Sequence, residues 1–225
     1  MITRSFRRET SAGVGGVRGV GGGSSAAGPI LMAHNGDDIT IVSGLPRCGT
    51  SLMMQMIDAG GLRALTDEAR ARDEDNPRGY YELEAVKRTK QDPSWLDAAG
   101  GRVVKLVYLL LYDLPADRSY RVIFMKRDLR EAVRSQADML ARRQTQGADL
   151  TDSQMIKAFQ GQLAKIQRWL DEQPNFRVLC VNYNDLMKDP TPAVEAVNRF
   201  LGGQLHRDAM LGCVDPSLYR QRAGS

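Results

Sequence analysis

Cysteine, histidine and aromatic residues are all scarce in this chain: three cysteines, two histidines and 6% aromatics among 225 residues. Cys48, Cys180 and Cys213 are an odd number at no metal-ligand spacing, which argues against a disulfide framework or a zinc site and points to a reducing compartment, by default the cytoplasm. Residues 1–36 hold no sustained apolar stretch, which excludes a secretory h-region or a membrane span there. A basic face is missing too. The formal charge is +4, and Arg4, Arg7, Arg8 and Arg18 against Glu9 place most of it in that first segment. Without a basic face or interleaved aromatics in the remainder, broad nucleic-acid binding is not supported.

The segment 1–37 is Gly-, Ser- and Arg-rich and reads as a disordered tail. Its acid-poor composition also suits an organellar transit peptide, but the glycine density opposes an amphipathic helix. Residues 38–225 read as one domain, since 42% apolar content over this length supplies a full core. No internal repeat is visible.

What is present is concentrated in Ile39 to Gly61, ITIVSGLPRCGTSLMMQMIDAGG. A β-branched apolar run ends in a Gly- and Pro-punctuated loop that opens into a helical pattern. Such a junction aims backbone N–H groups and the positive end of the helix dipole at one point, a cradle for a phosphate-like anion. In the nucleoside triphosphate version, GxxxxGK[ST], a Lys follows the second Gly and the hydroxyl after it holds magnesium. Gly44 and Gly49 have that separation here, but Thr50 and Ser51 follow, and the loop's only cation is Arg47. The geometry favours phosphate and the chemistry opposes ATP or GTP.

The rest of the chain alternates. Ser51 to Ala59 reads as a helix, Leu62 to Pro77 as an exposed excursion, and Asn76 to Arg88, NPRGYYELEAVKR, as turn residues entering a helix whose first turns hold Glu82 and Glu84. Arg102 to Leu111 and Tyr120 to Met125 read as buried parallel strands. Leu129 to Arg142 and Thr151 to Gln173 read as helices, the second with a capping box at Thr151 and Gln154. Its stripe of Met155, Ile156, Phe159, Leu163, Ile166 and Leu170 reads as core. Phe176 to Val181 is a further strand and Pro192 to Leu201 a helix with Val194, Val197 and Phe200 inward. The fold class is therefore α/β: an open parallel sheet wrapped by helices in three layers.

Open parallel sheets bind ligands at the carboxyl ends of their strands, and three such ends carry chemistry: SGLPRCGTS, MKRD and VNYNDL. Arg127 closes one strand, and Ser135 lies a little over two turns into the next helix, so the pair frames a second anion. Taken alone, Arg127 fits a salt bridge to Asp128 or Glu131 as well as a ligand role, Ser135 a solvated helix face, and Tyr183 a core aromatic.

Together these motifs resemble the sulfotransferases that use 3′-phosphoadenosine 5′-phosphosulfate (PAPS), compact bacterial members in particular, over about Asp38 to Arg222. LPRCGTS resembles their P-loop-like 5′-phosphosulfate loop, which implies donor contacts from Arg47, Cys48, Gly49, Thr50 and Ser51. Arg127 and Ser135 match the family's RxxxxxxxS element for the 3′-phosphate. VNYNDLMKDPTPAVEAVNRFLG is similar to the segment near the adenine, which implies that Tyr183 contacts it. NPRGYYELE resembles a segment of bacterial members. Lys105 falls where the family often places a catalytic cation.

The resemblance implies transfer of a sulfuryl group from PAPS to a hydroxyl or amine of a small-molecule, glycan or peptide acceptor. The product would be 3′-phosphoadenosine 5′-phosphate (PAP), and the scheme calls for no metal. Cytosolic animal members carry a His two residues after the Lys as base, where this chain has Val107. Other members use a Glu between the loop and the next strand, so Glu82 is the first candidate base and Glu84 the second. Arg47 and Lys105 would steady the leaving oxygen. Cys48 sits at a helix start that favours its thiolate, but without the Arg six residues on that a phosphatase loop needs, only its N–H is expected to serve. Arg220 and Arg222 are candidates to replace the basic C-terminal loop that closes over the 3′-phosphate in many members. The rival readings are a P-loop kinase or NTPase and a non-catalytic nucleotide-binding protein on a sulfotransferase scaffold.

Overall fold

The structure is a computed structural model that describes residues 38–67, 79–142, 144, 150–215, 217 and 219. The proposed tail, Asn76 to Arg78 of the NPRGYYELE segment, most of the stretch between 142 and 150, Arg220 and Arg222 lie outside those residues.

Four strands form one parallel sheet in the order β2-β1-β3-β4: β1 is Ile39–Gly44, β2 Val103–Val107, β3 Tyr120–Lys126 and β4 Phe176–Asn182. Nearly every residue of β1 and β3 is buried, Thr40 and Ser43 included, as strands covered on both faces require. The register aligns the carboxyl ends: Gly44 pairs with Val107 on one side and Met125 on the other, and Lys126 pairs with Asn182. From β1 the chain moves to one side and then, after β2, to the other, so the switch in strand order falls at β1 and β3. That is where such sheets open a crevice.

The helices are α1 Thr50–Ala59, α2 Leu129–Arg142, α3 Asp152–Glu172, α4 Tyr183–Lys188, α5 Thr191–Phe200 and α6 Arg207–Leu211. α1 packs on β1, β2 and α6, α5 packs on α6 and β4, and α2 packs with α3. The expected capping box is present on α3, with the Thr151 side chain accepting from the Gln154 N–H and Gln154 reaching back. Ile166 and Leu170 are buried, and Trp169 meets Phe176 of β4 and Tyr112 edge-on at centroid distances of 5.3 and 4.7 Å.

Three expectations are corrected. The apolar run from Arg102 to Leu111 is not one strand: β2 ends at Val107 and Tyr108–Asp113 forms a 3-10 helix, which buries Tyr108 and Leu111 while Leu109 points outward. The turn is held from below by Tyr108 donating to Gln162 Oε1 of α3 at 2.5 Å. Glu82 is not in a helical first turn, because the local helix is a short 3-10 segment, Glu84–Arg88, preceded by extended chain. The start of the excursion is not an exposed loop either: Leu62 and Leu65 pack on the core, and Ala64 bridges Val103 in parallel.

Candidate active site

The loop between β1 and α1 is shaped by two glycines. A Cβ at Gly44 would lie 2.7 Å from the Met125 carbonyl oxygen, so β3 passes too close for a side chain. Gly49 is the N-cap of α1 with φ 85°, and a Cβ there would lie 2.3 Å from Cδ2 of Tyr183. Met53 donates to the Gly49 carbonyl at 3.1 Å, which leaves the N–H groups of Thr50, Ser51 and Leu52 ahead of the helical ladder. Between the glycines, Arg47 holds φ 65°, an uncommon left-handed conformation for a residue with a Cβ.

That conformation sends the Arg47 side chain to α2. Its Nε donates to Ser135 Oγ at 3.0 Å and one terminal nitrogen approaches Met139 Sδ at 3.8 Å, while its own carbonyl accepts from Arg127 at 3.0 Å. Arg127 follows β3, immediately before the helix that Asp128 caps through Oδ1 to the N–H groups of Arg130 and Glu131. Arg127 and Ser135 are thus joined through Arg47 of the loop. The bland partner is present as well: Arg127 Nε is 3.2 Å from Glu131 Oε2, with both side chains buried.

Tyr183 comes from the end of β4, where Asn182 caps α4 by accepting from the N–H groups of Asn184 and Asp185. Its ring is 8% exposed, packed on Gly49, with the Arg127 guanidinium 4.7 Å from its centroid and Tyr219 edge-on at 5.6 Å.

A second group sits at β2. Lys105 pairs in register with Val42, two residues before Gly44. Its Nζ donates to the Tyr80 carbonyl and lies 3.8 Å from Glu82 Oε1, the two side chains being 12% and 28% exposed. Glu84 is not brought to this corner: it pairs with Lys87 at 2.5 Å on the surface. Cys48 reverses the electrostatic expectation. It is 1% exposed, and burial pushes its thiol up to about 12 against the lowering pull of Arg127, so the thiolate is disfavoured. No group of three or more His, Cys, Asp or Glu suited to a metal ion occurs among the described residues.

Sequence reasoning passed over three members of the site. Glu131 entered only as a competitor for Arg127. Asn184 stands inside the YNDL segment that supplied Tyr183. Tyr219 carried no signal, since its place depends on how the C-terminal segment returns to α2.

Residues 37–219 match the family model described as a sulfotransferase domain. The chain belongs to the sulfotransferase domain family. It is accordingly a transferase enzyme. Two solved structures resemble the sulfotransferase in fold. One is the sulfotransferase domain from the curacin biosynthetic pathway, 13% identical, covering 80% of this chain and 78% of that one with a TM-score of 0.51. The other is the sulfotransferase domain from the Synechococcus PCC 7002 olefin synthase, 14% identical, covering 81% and 86% with a TM-score of 0.52. No curated protein matches. Among the described residues, no helix of the sulfotransferase is long and apolar enough to cross a membrane.

Proposed function

We propose that the sulfotransferase moves a sulfuryl group from PAPS to an acceptor hydroxyl or amine and releases PAP. The observation that carries this reading is the junction of the β1–α1 loop with the end of β3: Arg127 donates to the Arg47 carbonyl and Arg47 donates to Ser135. Two cations, a hydroxyl and the N-terminal end of α1 thereby stand together, with the Glu131 carboxylate behind Arg127. That donor set suits two anionic groups on one ligand.

PAPS supplies a sulfuryl group on a phosphate that can leave. The N–H groups of Cys48, Gly49, Thr50 and Ser51 receive the 5′-phosphosulfate, Arg127 and Ser135 receive the 3′-phosphate, and Tyr183 flanks the adenine. Glu82 takes the proton of the acceptor as its oxygen or nitrogen bonds to sulfur and the sulfur–oxygen bond to the phosphate breaks. Lys105 holds Glu82 in place and, with Arg47, faces the charge that grows on the departing oxygen. Ser135 keeps Arg47 between the two anionic subsites. The missing Lys after Gly49 continues to oppose the kinase reading.

Thermal-shift titration with PAP tests the assignment. PAP should raise the melting temperature of the natural chain, and Arg127→Ala should weaken that response at least tenfold in midpoint concentration, the loss of about 1.4 kcal/mol or more that a charged hydrogen bond carries. A PAP response that Arg127→Ala leaves intact removes Arg127 from the 3′-phosphate subsite. A shift with ATP and magnesium but none with PAP supports the kinase reading instead.

A further inference from the structure

Behind Arg127 lies a polar cluster that the reaction scheme leaves unused. Glu131 on α2 is 4% exposed. Its Oε2 is 3.2 Å from Arg127 Nε, the Asn184 amide donates to that same oxygen at 2.9 Å, and the Tyr219 hydroxyl lies 2.8 and 3.0 Å from Oε1 and Oε2. Asn184 also donates to the Tyr219 oxygen at 2.7 Å and accepts from the Asp128 N–H at 2.8 Å. Three elements meet there: the start of α2, the start of α4 and the C-terminal segment. Burial and the adjoining carboxylate push the Tyr219 hydroxyl up, which keeps it protonated as the donor to Glu131.

The arrangement fixes Arg127 on several sides. Glu131 holds Nε, the Arg47 carbonyl holds a terminal nitrogen, the Tyr183 ring lies 4.7 Å away and the Tyr219 ring 5.7 Å away. A guanidinium is a planar fork, and its use in anion recognition depends on the direction of its N–H groups. A carboxylate held by one Arg alone could rotate with it. One that also accepts from Asn184 and Tyr219 has both oxygens oriented, and a buried pair of this kind keeps its geometry only while those extra hydrogen bonds are made.

We infer that Glu131, with Asn184 and Tyr219 orienting its carboxylate, positions Arg127 for a 3′-phosphate, so that the seating of Tyr219 sets the enzyme's selectivity for a 3′-phosphorylated nucleotide. This rests on the assignment of Arg127 to the 3′-phosphate. The three are positioning residues, acting through Arg127 instead of touching the ligand. The sulfotransferase thereby uses a contact from Tyr219 to organise a subsite that the β1–α1 loop begins.

Isothermal titration with PAP and with adenosine 5′-phosphate, which differs from PAP only in lacking the 3′-phosphate, separates the possibilities. The natural chain should prefer PAP. Tyr219→Phe, which keeps the ring and removes the hydroxyl, should weaken PAP binding about threefold to tenfold and leave adenosine 5′-phosphate binding unchanged. In an Arg127→Lys background, where the held Nε is gone, Tyr219→Phe should cost nothing further for PAP. Equal weakening for both ligands, or losses that add in the double variant, overturns the inference and makes the cluster a purely structural support. Asn184→Ala provides a second probe with the same expected selectivity, should Tyr219→Phe fold poorly. A natural chain with no preference for PAP overturns the Arg127 assignment itself, and the inference with it. A preference that both variants leave intact overturns the inference alone.

Discussion

Glu82 and Glu84 differ by two positions and by almost everything that matters to a base. Glu82 lies 3.8 Å from Lys105 and is largely sheltered, while Glu84 is tied to Lys87 with 54% of its side chain exposed. Glu82→Gln preserves shape and removes the ability to take a proton, so kcat should fall by about 10² to 10⁴ while the PAP dissociation constant stays put. Glu84→Gln should change neither. A fall in kcat confined to Glu84→Gln would exchange the two roles, and is read by the same steady-state assay. Cys48 illustrates the opposite case at this scale. Position at a helix start suggests a reactive thiolate, yet complete burial outweighs both the helix and Arg127. Its sulfur is a packing atom below the loop.

At the scale of elements, the loop and its neighbours are a matched pair. Gly49 sits where Tyr183 packs, so the loop depends on an aromatic 134 positions later as much as on its own glycines. Gly49→Ala should therefore act twice. The left-handed φ costs about 1–2 kcal/mol with a Cβ present, and the Tyr183 ring must move to admit it. A melting temperature lower by several degrees together with PAP binding weakened tenfold or more is expected from calorimetry. Near-natural PAP binding would show that the ring yields freely and that the loop is not built on it. This contact also marks what the sequence makes legible. The GxxxxG spacing and the Thr151 capping box are local, and local rules suffice to read them. The break of VVKLVYLLL after Val107 is not, because an unbroken apolar run fits a long strand until the Tyr108-to-Gln162 contact turns it. Nor is the Glu131, Asn184 and Tyr219 cluster, which joins residues 53 and 88 positions apart. The non-helical chain around Glu82 is held by Lys105 of β2, which reaches Tyr80 and Glu82, and by Thr66 and Asp67 donating to the Glu82 carbonyl, all beyond the reach of a helix-start signal.

At the scale of the described domain, the proposed site and an ion-pair anchor occupy opposite ends of the sheet. The loop, Arg127 and Tyr183 follow the carboxyl ends of β1, β3 and β4, while Asp38, Arg121 and Arg177 stand at the amino ends of the same three strands. Asp38 is 3.3 Å from Arg121 Nε and also pairs with Arg177, with Asp38 and Arg121 only 9% and 11% exposed in their side chains. One carboxylate thus clamps β1 to β3 and β4 where the strands begin, and the apolar length of the strands separates it from the crevice. Removing one member of a sheltered, charge-assisted pair costs about 3 kcal/mol or more. In a chain of this size that corresponds to a fall of about 6–12 °C in melting temperature. Asp38→Ala should show such a fall by calorimetry, yet retain the natural KM and PAP affinity at a temperature where it is folded, since nothing at the carboxyl ends depends on the clamp. A variant that keeps its melting temperature but loses PAP affinity would contradict this division, and would mean that the strands transmit strain along their length to the crevice.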